Sequence, residues 1–418
     1  MATLRTGDGL DGVVVTAVTS TTSIAPDAED TWRLLLDGKS GIRPLDMPFV
    51  EEFDLPVRIG GPLLEEFDHL LNRVELRRLS YLQKMSLVLS RRLWTRAGLD
   101  DATVDNSRLM VAIGTAIGTS EEAVHAYGRF VAKGLKAVSP LAVQMLMPNA
   151  PAAAVGLERK AQASIITPQT GASSGATAIV EAWRHIVLGE ADVAICGGID
   201  TWINPVPIAA YSQLGLLSTN NDDPAGAARP FDVDRDGMVF SEGGALLLLE
   251  SEQHAKARGA PILARLMGAG VTSDSYDVIG ADPGGEFAAD AIRRAVQLAG
   301  LEPGDIDLVI ADASGTKAGD LAEAVALGKA FDGNPPAVYA SKAALGHSWG
   351  SAGAIDAIVA VQALRDGVVP ATRNLTRLDP DIALDVVAGE PRRGDFRYAL
   401  SDCFGFSGNN VALVFGAA

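Results

Sequence analysis

Short, wholly apolar runs rich in β-branched residues recur along the chain, each separated from the next by amphipathic or small-residue stretches. This alternation confines the chain to layered α/β arrangements with largely buried sheets. The expected strands run from Val13 to Val18, Leu109 to Ile113, Ser164 to Thr167, Val193 to Cys196 and Leu246 to Leu249. In the second half they run from Ile262 to Met267, Leu308 to Ile310, Val338 to Ala340, Tyr398 to Ser401 and Val411 to Phe415. Expected helices include Ala176 to Leu188, Glu286 to Ala299, Gly319 to Phe331 and Ser351 to Leu364.

The two halves end alike. Phe240-Ser241-Glu242-Gly243-Gly244-Ala245-Leu246-Leu247-Leu248 lies against Phe406-Ser407-Gly408-Asn409-Asn410-Val411-Ala412-Leu413-Val414, each a glycine-rich turn delivering a buried strand. An internal duplication follows, with halves at 1–255 and 256–418 meeting in the polar stretch from Ser251 to Ala260.

Composition removes several classes of function. With 48% hydrophobic and 21% charged residues over 418 positions, the chain has enough apolar surface to fold rather than stay disordered. Its apolar runs are far shorter than the roughly 20 residues a membrane span needs. Met1, Ala2, Thr3, Leu4 and Arg5 lack the apolar stretch of a signal peptide, so a cytoplasmic protein is expected. Two cysteines, Cys196 and Cys403, argue against a disulfide framework or a structural zinc site. The net charge of −17 disfavours duplex DNA and anionic membranes, although an acidic protein could still meet a local basic patch.

Four segments carry candidate chemistry. Thr170-Gly171-Ala172-Ser173-Ser174-Gly175-Ala176 is a small-residue turn opening a helix, where backbone N–H groups and the helix dipole favour an anion or oxyanion. The same residues match G-x-S-x-G with Ser173 as nucleophile, or simply a crossing that needs small residues. Ala311 to Asp320 is a polar loop after a strand, either a ligand loop or an ordinary helix cap by Asp320. Ser341-Lys342-Ala343-Ala344-Leu345-Gly346-His347-Ser348-Trp349-Gly350, followed by Asp356, sets a lysine, a histidine and an acid among small residues. Cys403-Phe404-Gly405-Phe406-Ser407-Gly408-Asn409-Asn410 offers two aromatics in a glycine-rich turn, a hinged gate or a core plug.

In this order the segments resemble the β-ketoacyl-acyl-carrier-protein synthases of the thiolase superfamily, from about Gly12 to Phe415. Ser139 to Asn149, Ala191 to Gly198, Arg229 to Gly237 and Ala255 to Ala260 are similar to the actinobacterial fatty-acid elongation branch. The resemblance implies a five-layered αβαβα fold and a dimer. It implies no cofactor or metal of the chain's own, because 4'-phosphopantetheine is carried by the acyl carrier protein. An active member needs a cysteine thiolate at the helix N-terminus and two histidines that donate to the malonyl thioester oxygen. A lysine orders that network, and a phenylalanine gate controls access.

Here the pattern breaks. The nucleophile position falls on Ala172, and the first histidine on Asp312. His347 keeps the second, with Lys342 before it and Asp356 in place of a glutamate; Phe404 and Phe406 match the gate, but Ser407 replaces its first glycine. Losing one oxyanion donor costs about 3–4 kcal/mol. An ionised carboxylate about 4 Å from a developing enolate adds about 4 kcal/mol of repulsion at an effective dielectric near 20. No independent condensation is therefore expected.

A retained fold without a nucleophile resembles the chain-length factor of type II polyketide synthases. That role implies a heterodimer with an active ketosynthase, an acyl carrier protein partner, and a tunnel shaped for a polyketide, reduced or polyene in character. Trp202 is expected either to set chain length with Leu146, Tyr127 and Phe130, beside Ile203 and Phe240, or simply to fill space left by a lost substrate pocket, its indole N–H seeking Asp200 or Asn204. Malonyl-carrier decarboxylation through His347 and Lys342, or another retooled synthase activity, is the alternative, and a Ser173 hydrolase a further one.

Overall fold

The structure, a computed structural model, describes residues 12–100 and 104–418. The residues from Met1 to Arg5, read above for a leader, lie outside the described residues.

Every expected apolar run forms a strand, and eleven strands join in one mixed sheet. In the first half Val13–Thr21 pairs antiparallel with Glu242–Ser251, which pairs antiparallel with Val193–Thr201. Leu109–Gly114 and Ser164–Ile166 then continue in parallel. The second half repeats this pattern: Ala264–Ser273, Asn409–Ala417 and Tyr398–Gly405 are successively antiparallel. Leu308–Ile310 and Ala337–Tyr339 follow in parallel. The halves are joined where Val13, Val14 and Val15 pair with Leu266, Arg265 and Ala264. One edge strand, Asp385–Val386, was not expected, because two residues are too few to show a period.

Helices complete five layers. Ser174–Val187 and Ala352–Asp366 pack against each other in the middle, each touching strands of both halves. Tyr81–Arg96 and Ala150–Arg159 cover the outer face of the first half, and Glu286–Leu298 packs with Lys317–Ala330 outside the second. The central position explains the sequence of Ala352–Asp366. Every residue from Ala352 to Leu364 is buried, so the helix is small and apolar on all sides rather than amphipathic. The result is the αβαβα thiolase architecture.

Three glycines let the central layer close on the sheet. A Cβ on Gly198 would stand 2.2 Å from the Gly350 carbonyl oxygen, and one on Gly175 would stand 2.6 Å from the same atom. Here the Ser174–Val187 helix and the Val193–Thr201 strand of one half meet the turn before Ala352–Asp366 of the other. The crossing places Ala172 and His347 beside one cleft.

Candidate active site

The Ser174–Val187 helix is entered through a single 3-10 turn, Gly171–Ser173, with Gly171 at φ +65°. Its hydroxyls bind within the turn. Ser174 Oγ donates to the Gly171 carbonyl at 2.6 Å, and Ser173 Oγ donates to the Thr170 carbonyl at 2.8 Å. Ser173 is fully buried with no histidine among its hydrogen-bond partners, so the G-x-S-x-G match is a packing motif and not a nucleophile elbow. The side chain presented to the cleft at this helix mouth is the methyl of Ala172.

The cleft has a volume of ≈ 460 Å³ and is lined by Ala172, Asp312, His347, Trp349, Phe404 and Phe406 among others. His347 is held by its backbone, its N–H bonding Val239 O at 2.7 Å and its carbonyl accepting from Ser241 N at 3.0 Å. Its Nδ1 accepts the Trp349 backbone N–H at 3.1 Å. Burial first, then the neighbouring Lys342 charge, lowers its pKa to about 3. The ring is therefore neutral, and with Nδ1 accepting, the proton resides on Nε2 as a hydrogen-bond donor.

Lys342 lies beneath, 4% exposed, between two carboxylates: Asp356 Oδ2 at 3.0 Å and Asp312 Oδ1 at 3.2 Å. Burial opposes its charge, but Asp312 and Asp356 prevail and hold its pKa well above the ordinary lysine value. Ser341 Oγ donates to the other oxygen of Asp356. The Cys403 Sγ lies 3.5 Å from both Asp312 Oδ1 and Ala172 O, which share its one hydrogen as acceptors. Burial, then the Asp312 charge, pushes this thiol far above its usual value. Cys196 is buried in the sheet with its thiol likewise raised by burial. Neither cysteine stands in for the missing nucleophile.

The spacing of Lys342, His347 and Asp356 thus pointed to a real cluster, and Asp312 joins it as a counter-ion. The full repulsion expected between Asp312 and an enolate does not apply, because Asp312 already faces a lysine ammonium. The sequence reading also missed Cys403 as a member of the cluster, since one cysteine in a strand carries no pattern.

Phe404, near the end of the Tyr398–Gly405 strand, and Phe406, in the turn that follows it, flank the cleft. Ser407 occupies the left-handed region at φ +63°, where glycine is at ease, at a cost of about 1 kcal/mol or more for serine. Trp202, Ile203 and Phe240 are buried together with Ala172 and Trp349 in one cluster. The Trp202 Nε1–H finds Asp200 Oδ2 at 3.1 Å, the first of its two expected partners. Its companions differ from expectation: Tyr127 and Phe130 are 69% and 49% exposed on the Ser120–Lys133 helix, and Leu146 is half-buried, all outside this cluster. Trp202 instead meets Trp349, Tyr211 and Phe240. Trp349 was visible beside His347, but nothing local marked it as the partner of a tryptophan so distant in sequence.

Two family models match the chain: β-ketoacyl synthase N-terminal domain over residues 11–255 and β-ketoacyl synthase C-terminal domain over residues 263–376. The chain belongs to the β-ketoacyl synthase family. The chain is 63% identical, over the whole of both chains, to 3-oxoacyl-[acyl-carrier-protein] synthase 2 of Mycobacterium tuberculosis. It is similar to the crystal structure of a β-ketoacyl synthase from Burkholderia phymatum, with TM-score 0.91 and 30% identity over 98% of this chain and 100% of the other. It is also similar to the ishigamide ketosynthase/chain length factor, with TM-score 0.90 and 29% identity over 98% and 100% of the two chains.

These findings overturn the chain-length-factor expectation. The full-length relative at 63% identity is named as a 3-oxoacyl-[acyl-carrier-protein] synthase, whereas the ketosynthase/chain length factor structure shares 29%. The likeness of this family member to polyketide assemblies is one of fold, and its sequence affinity lies with the fatty-acid branch. The expected heterodimer with an active ketosynthase, and the polyketide product, go with the corrected reading. The missing cysteine misled because a lost nucleophile is one residue, whereas the branch is recorded along the whole chain.

Proposed function

We propose that this chain is a retooled β-ketoacyl synthase that accepts a malonyl thioester borne on an acyl carrier protein and removes its carboxylate without forming an acyl-enzyme. The single observation that supports it most directly is His347: neutral, buried, its Nδ1 already accepting, so that its Nε2–H remains as the donor beside a cleft floored by Ala172.

The malonyl thioester oxygen accepts from His347 Nε2–H. The bond between the carboxylate carbon and Cα breaks, carbon dioxide departs, and the electron pair forms an enolate whose oxygen keeps the same hydrogen bond. With a methyl at residue 172 no acyl group waits to be attacked, so water protonates the enolate carbon and acetyl thioester results. One donor of this kind contributes about 3–4 kcal/mol, a factor of a hundred to a thousand. Lys342 serves as a positioning residue by holding Asp312 through an ion pair of about 5 kcal/mol at an effective dielectric near 20. Docking of an acidic carrier suits the Arg73–Arg78 helix, where Arg73, Arg77 and Arg78 are exposed and form no ion pair among the described residues.

Incubation with malonyl-carrier protein, read by intact mass, is expected to yield acetyl-carrier protein. His347→Ala should slow that conversion by about a hundredfold or more. A chain that leaves the malonyl group intact, or that elongates an acyl primer, does not have this function.

A further inference from the structure

A second cavity, ≈ 420 Å³, lies beyond the cleft and is lined by Tyr81, Gly118, Thr119, Ile203, Asn204 and Glu242 among others. What separates the two is an aromatic wall. Trp349 lines the cleft, while Thr201 and Ile203, on either side of Trp202 in the chain, line the second cavity. The two indoles stack face to face between them, with ring centres 3.8 Å apart and planes 9° from parallel.

The wall is braced rather than loosely filled. Tyr211 meets Trp202 and Trp349 edge-on at 5.5 and 5.1 Å, and Phe240 meets them at 5.6 and 5.9 Å. Phe406 of the gate turn stands edge-on to Trp349 at 5.1 Å. Trp202 is fixed by its bond to Asp200, whose Oδ2 also accepts from Ala116 N at 2.7 Å and from Gly350 N at 3.1 Å. Trp349 itself sits at φ +51°, a backbone conformation held only by such surroundings. Both indoles are at most 5% exposed.

We infer that the Trp202–Trp349 stack divides what would otherwise be one acyl-sized channel and confines the site to acyl groups as short as malonyl and acetyl. The inference rests on the thioester-binding function proposed above and adds its substrate length. The second cavity is the severed remainder of the channel. A long alkyl chain entering the cleft meets two stacked rings, and seating it requires breaking the stack. The indole N–H of Trp349 is buried without an acceptor among the described residues, a wall chemistry suited to a small polar acyl group and not to methylenes.

The test measures calorimetric binding of carrier proteins loaded with non-hydrolysable acetyl, malonyl or palmitoyl amide analogues. The wild-type chain is expected to bind the acetyl and malonyl forms about tenfold or more tightly than the palmitoyl form, since the added methylenes find no apolar site. Trp202→Ala joins the cavities and should erase or reverse that preference, while Trp202→Phe, which keeps a ring on Trp349, should retain it. Trp349→Leu provides a second opening variant, with circular dichroism and the urea midpoint reporting that each variant remains folded. A wild-type chain that binds palmitoyl as tightly as acetyl overturns the inference alone. So does an unchanged length preference in folded opening variants. Failure of every analogue to bind the wild-type chain removes the function and the inference together.

Discussion

Lys342 holds together two carboxylates that would otherwise face each other in a dry interior, and a lysine so placed cannot be removed cheaply. Replacing one member of a buried ionic cluster leaves its partners without compensation, at about 3–5 kcal/mol. Lys342→Met is therefore expected to lower the urea midpoint sharply. Adding Asp312→Asn should recover part of the loss, because the amide needs no counter-ion. Equal midpoints for the single and double variants would show that Asp312 and Lys342 are not coupled. At this scale the sequence revealed the participants Asp312, Lys342, His347 and Asp356. It did not reveal that Asp312 is paired with an ammonium, since a charge's neighbours are set by the packing of the Leu308–Ile310 and Tyr398–Gly405 strands and the turn holding Lys342.

At the scale of elements, the Ser174–Val187 helix keeps the electrostatics of a nucleophile site without the nucleophile. The 3-10 turn that leads into it places Ala172 on the cleft, and a thiolate there would be favoured by the positive end of the helix dipole. Ala172→Cys is expected to produce a thiol that iodoacetamide labels at neutral pH in a single addition seen by intact mass. The wild-type chain should resist labelling under native conditions, because Cys196 and Cys403 are buried and their thiols are raised far above the usual value. Labelling of the wild-type chain at the same rate would contradict the described burial. The small residues that made this turn legible had a double origin. Gly175 is required by the approach of Gly350, and Ser173 and Ser174 bind their own turn, so the G-x-S-x-G pattern arose from packing.

Across the whole molecule, the layered core buries several acids deeply enough to tie stability to pH. Burial raises Asp200 and Asp320 to about 6 and Asp402 to about 7, against their N–H donors. A carboxyl whose folded pKa is raised contributes stability that is complete below its unfolded value near 4 and is lost as pH climbs through 6 to 7. His347 acts in the opposite sense: its folded pKa near 3 means stability is lost as pH falls from about 6.5. One histidine opposes three acids, so the urea midpoint is expected to be higher near pH 5.5 than near pH 7.5. Asp402→Asn should flatten that difference, and a midpoint that rises steadily toward pH 7.5 in the wild-type chain would refute the assignment.

The sequence by itself determined the layered α/β fold, because buried strands and central helices must be apolar along their own length and so write their burial locally. It also determined that residue 172 has no nucleophile and that a histidine and a lysine share one segment. Only the tertiary structure decided that Trp202 lies on Trp349, that Asp312 is paired, and that Tyr127 and Phe130 stand apart from the aromatic wall. Such contacts join residues from distant elements, and no periodicity within one element records which side chain another element brings against it.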